Sequence, residues 1–251
     1  MARYALIIGI QSYHPSPLPS LFKAARDAED MAVVLEQYGN FQEVKRLPEQ
    51  WVATKESYRI HPKQPLAGEE LGRSLREFLL TQAHKQDALI YFSGHGISVA
   101  SSLGVKRGYL AASDCQVEVD GNGNIKDQRY GIPLDDLNAL IHQSDLSSLV
   151  VILDCCHSGY LIDRALTEQS LSAFRNKQDY CLITASRSFE QAWEGQEHSV
   201  LTEAILQGLS RENANPETGR VSGDRLFDFV YTRLQNTGQE PFRTGIGRSI
   251  N

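Results

Sequence analysis

No run of apolar residues in the 251-residue chain approaches the ~18 that a membrane-crossing helix requires. An integral membrane protein built of helices is therefore not expected. Positive charge is also short: 25 Lys and Arg stand against 31 Asp and Glu, a formal net charge of −6, and the basic residues are scattered. Such a surface repels phosphate backbones, so nucleic acid is not an expected partner and cationic ligands are favoured instead. Cysteine is sparse, with four residues at 115, 155, 156 and 181. A chain long enough to bury a large core needs no disulfide staples, and the adjacent Cys155 and Cys156 do not suit one tetrahedral zinc ion, so free thiols are expected. The opening stretch has only a short apolar run, from Ala5 to Ile10, and no small-residue cleavage signal behind it. It reads as a buried strand rather than an export signal, which implies a cytoplasmic location.

Several motifs are missing as well. No serine lies in G-x-S-x-G, no arginine follows Cys155 or Cys156 by six residues, and neither G-x-G-x-x-G nor G-x-x-x-x-G-K-[ST] occurs. These gaps remove serine hydrolases of that type, cysteine phosphatases and nucleotide-binding doubly wound domains.

Four apolar runs of strand length are present: Tyr4 to Ile10, Ala88 to Phe92, Leu149 to Leu153 and Tyr180 to Ala185. Each is nearly continuous rather than alternating, as expected of strands covered on both faces. Between them apolar residues recur at helical spacing, as in Leu21, Ala24, Ala28, Met31 and Leu35, then Leu71, Leu75 and Phe78, then Leu134, Leu137 and Ile141. The alternation predicts an α/β fold with a mostly parallel sheet and helices on both faces. Phe41 to Leu47 reads as a further, more exposed strand, and Pro48 to Gly68 as a surface excursion. Ser199 to Leu209 and Ser222 to Leu234 read as late helices, the latter part of a segment that closes the sheet. Ile97 to Lys106, Asp114 to Ile132 and Tyr160 to Asp179 are polar and turn-rich, and read as long loops.

In open α/β sheets, reactive groups collect beyond the carboxyl ends of the strands, and two segments fit that place. In Leu89-Ile-Tyr-Phe-Ser-Gly-His-Gly an apolar strand is expected to stop at Ser93, with His95 held in a sharp turn between glycines. In Val150-Val-Ile-Leu-Asp-Cys-Cys-His-Ser-Gly five apolar residues end in a carboxylate and two thiols. Cysteine and histidine on the ends of neighbouring parallel strands place a nucleophile and a base on one rim. A thiol attacks only as thiolate, and an imidazole can hold its proton and return it to a leaving amine. Backbone N–H groups at Gly96 and at the cysteine itself would receive the developing oxyanion. Residue chemistry leaves open which of the two thiols attacks.

With both segments in view, the sequence resembles the caspase-like cysteine peptidases, specifically the metacaspases and the single-domain prokaryotic orthocaspases. Tyr-Phe-Ser-Gly-His-Gly at 91 to 96 is similar to that family's histidine box, and Asp-Cys-Cys-His-Ser-Gly at 154 to 159 to its cysteine box. Ala-Arg-Asp-Ala at 25 to 28 and Leu-Ile-Thr-Ala-Ser at 182 to 186 follow the family order. The interval between histidine and cysteine, about 60 residues, is comparable with the caspase pattern. The resemblance implies a caspase-like three-layer sandwich. It makes Cys156 the nucleophile, Cys155 the occupant of a variable position and His95 the general base and acid; His157 is then not the base. It also implies a preference for Arg or Lys at P1, the residue before the cut, through a pocket of Asp27, Ser93 and Asp154. Alternation along the strands would set Asp154 beside Cys156 and Ser93 beside His95 on one side.

The same resemblance implies one peptidase domain over residues 1–251: a large-subunit-like part at 1–163, a processing loop at about 160–179 and a small-subunit-like part at 180–251. Self-cleavage is expected in that loop after Arg164 or Arg175, or near Lys177, Arg187 or Arg211. Many metacaspases are activated by Ca²⁺, and Asp135, Asp136 and Asp163 resemble part of such a ligand set. Lys106 and Arg107 stand where a further acidic ligand is expected, so Ca²⁺ dependence is expected to be weak or absent, with no other cofactor. Asp120-Gly-Asn-Gly-Asn lacks the rest of a calcium loop and reads as a hairpin turn. The expected partners are peptide or protein substrates with a basic P1 residue, acted on by a monomer. A caspase-like scaffold that binds partners without chemistry is the alternative.

Overall fold

The computed structural model describes residues 1–100, 104–122, 124–156, 179–187, 197–235, 237 and 239–244. Five strands run parallel in the order β11 (Tyr180–Arg187), β10 (Ser148–Cys156), β5 (Asp87–Ala100), β1 (Arg3–Gly9) and β2 (Glu43–Leu47). β12 (Gln239–Thr244) closes one edge antiparallel to β11, with Leu182 opposite Thr244. Material from the last third of the chain thus extends the sheet that the first two thirds begin.

Alternate residues of the central strands feed two separate cores. Leu6, Ile8, Ile90, Phe92, Val151 and Leu153 face one side, against α2 (Gly68–Glu77), the π-helical turn Phe78–Gln82 and α3 (Leu134–Gln143). Ile7, Tyr91, Val150 and Ile152 face the other, against α1 (Ala24–Tyr38), α4 (Val200–Gly208) and α5 (Gly223–Leu234). Both faces are covered, which is why the strands read as unbroken apolar runs. Truncating a wholly buried ring such as Phe92 removes about 3–5 kcal/mol.

The helices begin and end where local chemistry dictates. Ser199 and Ser222 each cap a helix by accepting from a backbone N–H three residues on, Thr202 at 3.0 Å and Arg225 at 3.2 Å. α1 stops at Gly39, and the next residue, Asn40, takes the left-handed conformation with φ 51°. At the other end α1 presses on the sheet: a Cβ on Gly9 would lie 2.6 Å from Ala28 Cβ and 2.7 Å from the Ala24 carbonyl oxygen. Glycine here permits a close approach of helix to strand.

Four sequence-based expectations change. The strand that was expected to stop at Ser93 continues to Ala100, because its second half pairs antiparallel with β6 (Lys106–Leu110), Gly96 opposite Leu110 and Ala100 opposite Lys106. Ile97 to Lys106 is therefore partly strand. The excursion after Pro48 contains a hairpin, β3 (Glu49–Val52) with β4 (Ser57–Ile60), and Asp114 to Ile132 contains another, β7 (Gln116–Val119) with β8 (Ile125–Arg129). Short polar strands with little apolar content gave no period to read. The Asp120 carboxylate accepts from the Asn122 and Asn124 backbone at 2.9 Å each, so Asp120-Gly-Asn-Gly-Asn is the turn of the second hairpin. The short β9 (Ile132–Pro133) pairs with β6 and leads into α3.

Candidate active site

The register between β10 and β5 sets Leu153 beside Phe92, Asp154 beside Ser93, Cys155 beside Gly94 and Cys156 beside His95. Segments about 60 residues apart in sequence thus meet residue for residue across one parallel ladder. Cys156 is the last residue of its strand. His157 lies outside the described residues.

His95 is completely buried, at 0% exposure. Its backbone N–H donates to the Tyr13 hydroxyl at 2.7 Å, and the Tyr13 ring lies 4.6 Å from the imidazole between centroids. Nε2 of His95 is 2.7 Å from the carbonyl oxygen of Pro19. A carbonyl can only accept, so Nε2 carries a proton and, in the neutral imidazole, the lone pair falls to Nδ1. Gly94 makes room for this arrangement: a Cβ there would lie 2.7 Å from the end of the Phe92 ring and 2.9 Å from the Tyr13 hydroxyl. The glycine before His95 serves close packing inside a strand, not the sharp turn expected from sequence. Neither Tyr13 nor Pro19 was legible beforehand, since the segment after β1 shows no periodicity; the prolines at 15, 17 and 19 were its one unusual feature.

Asp27, Ser93 and Asp154 are brought together with further residues that sequence reasoning did not single out. Asp27, on the first turn of α1, is at 0% exposure, and Asp154 at 2%. The Nδ1–H of His198 donates to Asp27 at 2.9 Å, and the Ser199 backbone N–H lies 3.2 and 3.3 Å from its two oxygens. Asp154 Oδ2 accepts from the Ser199 hydroxyl and from the Thr202 hydroxyl, the latter at 2.6 Å. Thr202 has one hydroxyl proton, committed to Asp154, so the Tyr91 hydroxyl 2.5 Å away donates to Thr202. The Ser93 hydroxyl is buried and has no hydrogen-bond partner among the described residues. Asp27, His198 and Ser199 meet because the N-terminus of α4 abuts that of α1; only the helix-starting character of Ser199 was visible in sequence.

Burial pushes the Asp27 carboxyl up to about 6, against the lowering effect of its bond from His198; the nearby Asp154 charge adds to the rise. His198 is raised in turn, chiefly by its hydrogen bond to Asp27 and then by the charges of Asp27, Asp30 and Glu203, while burial opposes. Its Nε2 is 3.4 Å from Asp30. A cation therefore suits this position, and His198 already provides one when protonated.

Of the remaining expected site residues, Gly96 adjoins His95, and the others lie elsewhere or outside the described residues. Gly96 sits in β5, one residue beyond His95 and opposite Leu110. Asp135 and Asp136 are exposed on the first turn of α3, and Lys106 and Arg107 are exposed on β6. Among the described residues no group of three or more His, Cys, Asp or Glu side chains could hold a metal ion. Asp163, Arg164, Arg175 and Lys177 lie outside the described residues. Arg187 ends β11, and the exposed Arg211 opens a short 3₁₀ turn. Among the described residues, no helix is long and apolar enough to cross a membrane.

A protein-family model for the caspase domain matches residues 2–243. Metacaspase-7 of Arabidopsis thaliana is 28% identical over 262 aligned residues, which take in 98% of this chain and 59% of that protein. The chain thus spans 59% of the length of this relative. A crystal structure of a Geobacter sulfurreducens protein superposes with a TM-score of 0.62 at 16% identity, covering 99% of this chain and 94% of that one. Pro-sf-caspase-1 superposes with a TM-score of 0.60 at 13% identity, covering 98% and 92%. Likeness at these identities speaks for the fold.

Proposed function

This chain belongs to the caspase domain family, a family of cysteine peptidases, and on that footing we propose that it is an endopeptidase cutting after Arg or Lys through a Cys156–His95 dyad. The observation that carries this reading is the pairing of Cys156 with His95 across β10 and β5, two residues beyond Asp154 and Ser93 on the same ladder.

The chemistry proceeds in two halves. The Cys156 thiolate attacks the scissile carbonyl carbon, and the N–H groups of Gly96 and Cys156 receive the oxyanion. The tetrahedral species collapses as the C–N bond breaks, and His95, holding the thiol's proton, gives it to the leaving amine. A thioacyl enzyme remains. Water attacks it while His95 takes the water's proton, the C–S bond breaks, and the departing sulfur recovers that proton. The Pro19 carbonyl on Nε2 supports this role, since it aligns the ring and favours the imidazolium. Asp27 and Asp154 suit a guanidinium or ammonium at P1, and Asp substrates meet like charge.

Cleavage after Arg164 or Arg175 belongs to the same reading, as self-processing by this specificity. Hydrolysis of fluorogenic peptides ending in Arg, Lys or Asp, with and without Ca²⁺, tests the proposal. Arg and Lys peptides should be cut with or without Ca²⁺, and Asp154→Ala should lower kcat/KM for them by about 10–100-fold, the loss of a charge-assisted contact. Preference for Asp peptides, or full activity in Cys156→Ala, would overturn it.

A further inference from the structure

The two buried acids are joined by a single residue. Ser199 presents its backbone N–H to both oxygens of Asp27, at 3.2 and 3.3 Å, and its hydroxyl to Oδ2 of Asp154. The same hydroxyl accepts from Thr202 N–H at 3.0 Å and so also caps α4. The hydroxyl's one proton goes to Asp154 and one of its lone pairs takes the helix's N–H. Ser199 is itself 2% exposed, so its rotamer is held by packing on all sides. α1 carries one acid, β10 the other, and the residue that caps α4 bridges them, by its backbone N–H to Asp27 and its hydroxyl to Asp154.

We infer that Ser199 is a positioning residue which sets the spacing of Asp27 and Asp154 and thereby selects arginine over lysine at P1. The inference rests on the proposed role of these acids. A guanidinium is a planar fork of donors with fixed geometry and needs its acceptors at a set distance and angle; an ammonium is a compact point charge that tolerates their movement. Loosening the bracket therefore harms arginine recognition more than lysine recognition. Ser199 touches neither substrate nor reacting atoms in this scheme and acts through the two carboxylates.

The test compares kcat and KM for matched Arg and Lys fluorogenic peptides in the wild type, Ser199→Ala, Ser199→Thr and Ser222→Ala. Ser199→Ala should lower the Arg-to-Lys ratio of kcat/KM about tenfold, the worth of one charge-assisted hydrogen bond, mostly through a higher KM for Arg. Ser199→Thr, which keeps the hydroxyl and the cap, should restore the ratio. Ser222→Ala removes an equivalent helix cap at α5, whose bond goes to Arg225 and not to either acid, and should lower the melting temperature without moving the ratio. If Ser199→Ala does not fold, Ser199→Gly deletes the hydroxyl at only a few tenths of a kcal/mol of capping and takes its place. An unchanged ratio in folded Ser199→Ala or Ser199→Gly, or an equal fall in Ser222→Ala, overturns the inference while leaving basic specificity intact. A wild type that does not prefer basic peptides overturns the reading of the acids and this inference with it.

Discussion

The imidazole of His198 holds Asp27 through a 2.9 Å hydrogen bond between two almost fully buried side chains. On the proposed function a basic P1 side chain would be received at this carboxylate, so substrate and histidine would compete for it. Burial raises Asp27, and the Asp27 bond raises His198. A histidine raised in the folded state contributes stability that is present below its unfolded value of about 6.5 and is lost as pH rises through the folded value. The stability advantage of the wild type over His198→Gln should therefore be larger at pH 6 than at pH 8.5, measured as urea midpoints. In an NMR titration, His198 should titrate above the ordinary histidine range and move down in Asp27→Asn. A midpoint unmoved by that substitution would show that the pair is not coupled.

Tyr13 supplies the acceptor for the His95 backbone N–H and a ring beside its imidazole. Tyr13→Phe keeps the ring and withdraws the acceptor, which costs about 1–3 kcal/mol when a buried donor loses its partner. Chemical denaturation should register that loss, and, if His95 is the base as proposed, kcat on an Arg peptide should fall while KM changes little, because Tyr13 holds the imidazole and not the substrate. A fall in KM affinity with kcat preserved would contradict the assignment.

Two glycines set close approaches that a methyl group cannot share. Gly94→Ala meets Phe92 and the Tyr13 hydroxyl, and Gly9→Ala meets Ala28 and the backbone of Ala24. Overpacking of this kind costs about 1–3 kcal/mol. Both variants should lose stability, but by different routes to activity: Gly94→Ala displaces His95 and should lower kcat for every substrate. Gly9→Ala pushes out the α1 terminus that carries Asp27 and should raise KM for basic peptides. Matched steady-state kinetics distinguish the two.

The central parallel strands, both sets of helices and the nearness of His95 and Cys156 were readable because apolar periodicity and two short motifs encode them directly. What sequence missed has physical causes. β5 runs on past Ser93 because β6, a polar segment with no period of its own, supplies a partner ladder. The glycine of Ser-Gly-His-Gly implied a turn, whereas Gly94 answers to a tyrosine from another segment, a contact no local pattern records. Tyr13, Pro19, His198, Ser199 and Thr202 act through hydrogen bonds to residues of distant segments, and such contacts leave no repeat in the chain. Asp27 and Asp154 were legible by family resemblance; their partners were not.

Thiol chemistry separates a structural cysteine from a reactive one. Burial, with the Asp114 charge adding, pushes the Cys115 thiol up to about 12. Roughly one molecule in 10⁴ or fewer then carries the thiolate near neutral pH, so Cys115 should resist iodoacetamide in the folded protein. Peptide mapping after brief alkylation should find Cys156 modified and Cys115 intact; rapid labelling of Cys115 would contradict its burial.

The pairing of Cys156 with His95 is tested most directly by a peptidyl-arginine chloromethyl ketone, with the adduct located by mass spectrometry. One adduct per chain on Cys156 is the predicted result, formed at least about 100-fold more slowly in His95→Ala, since thiolate formation depends on the imidazole. Labelling of another residue, or of Cys156 at an unchanged rate in His95→Ala, would contradict the dyad.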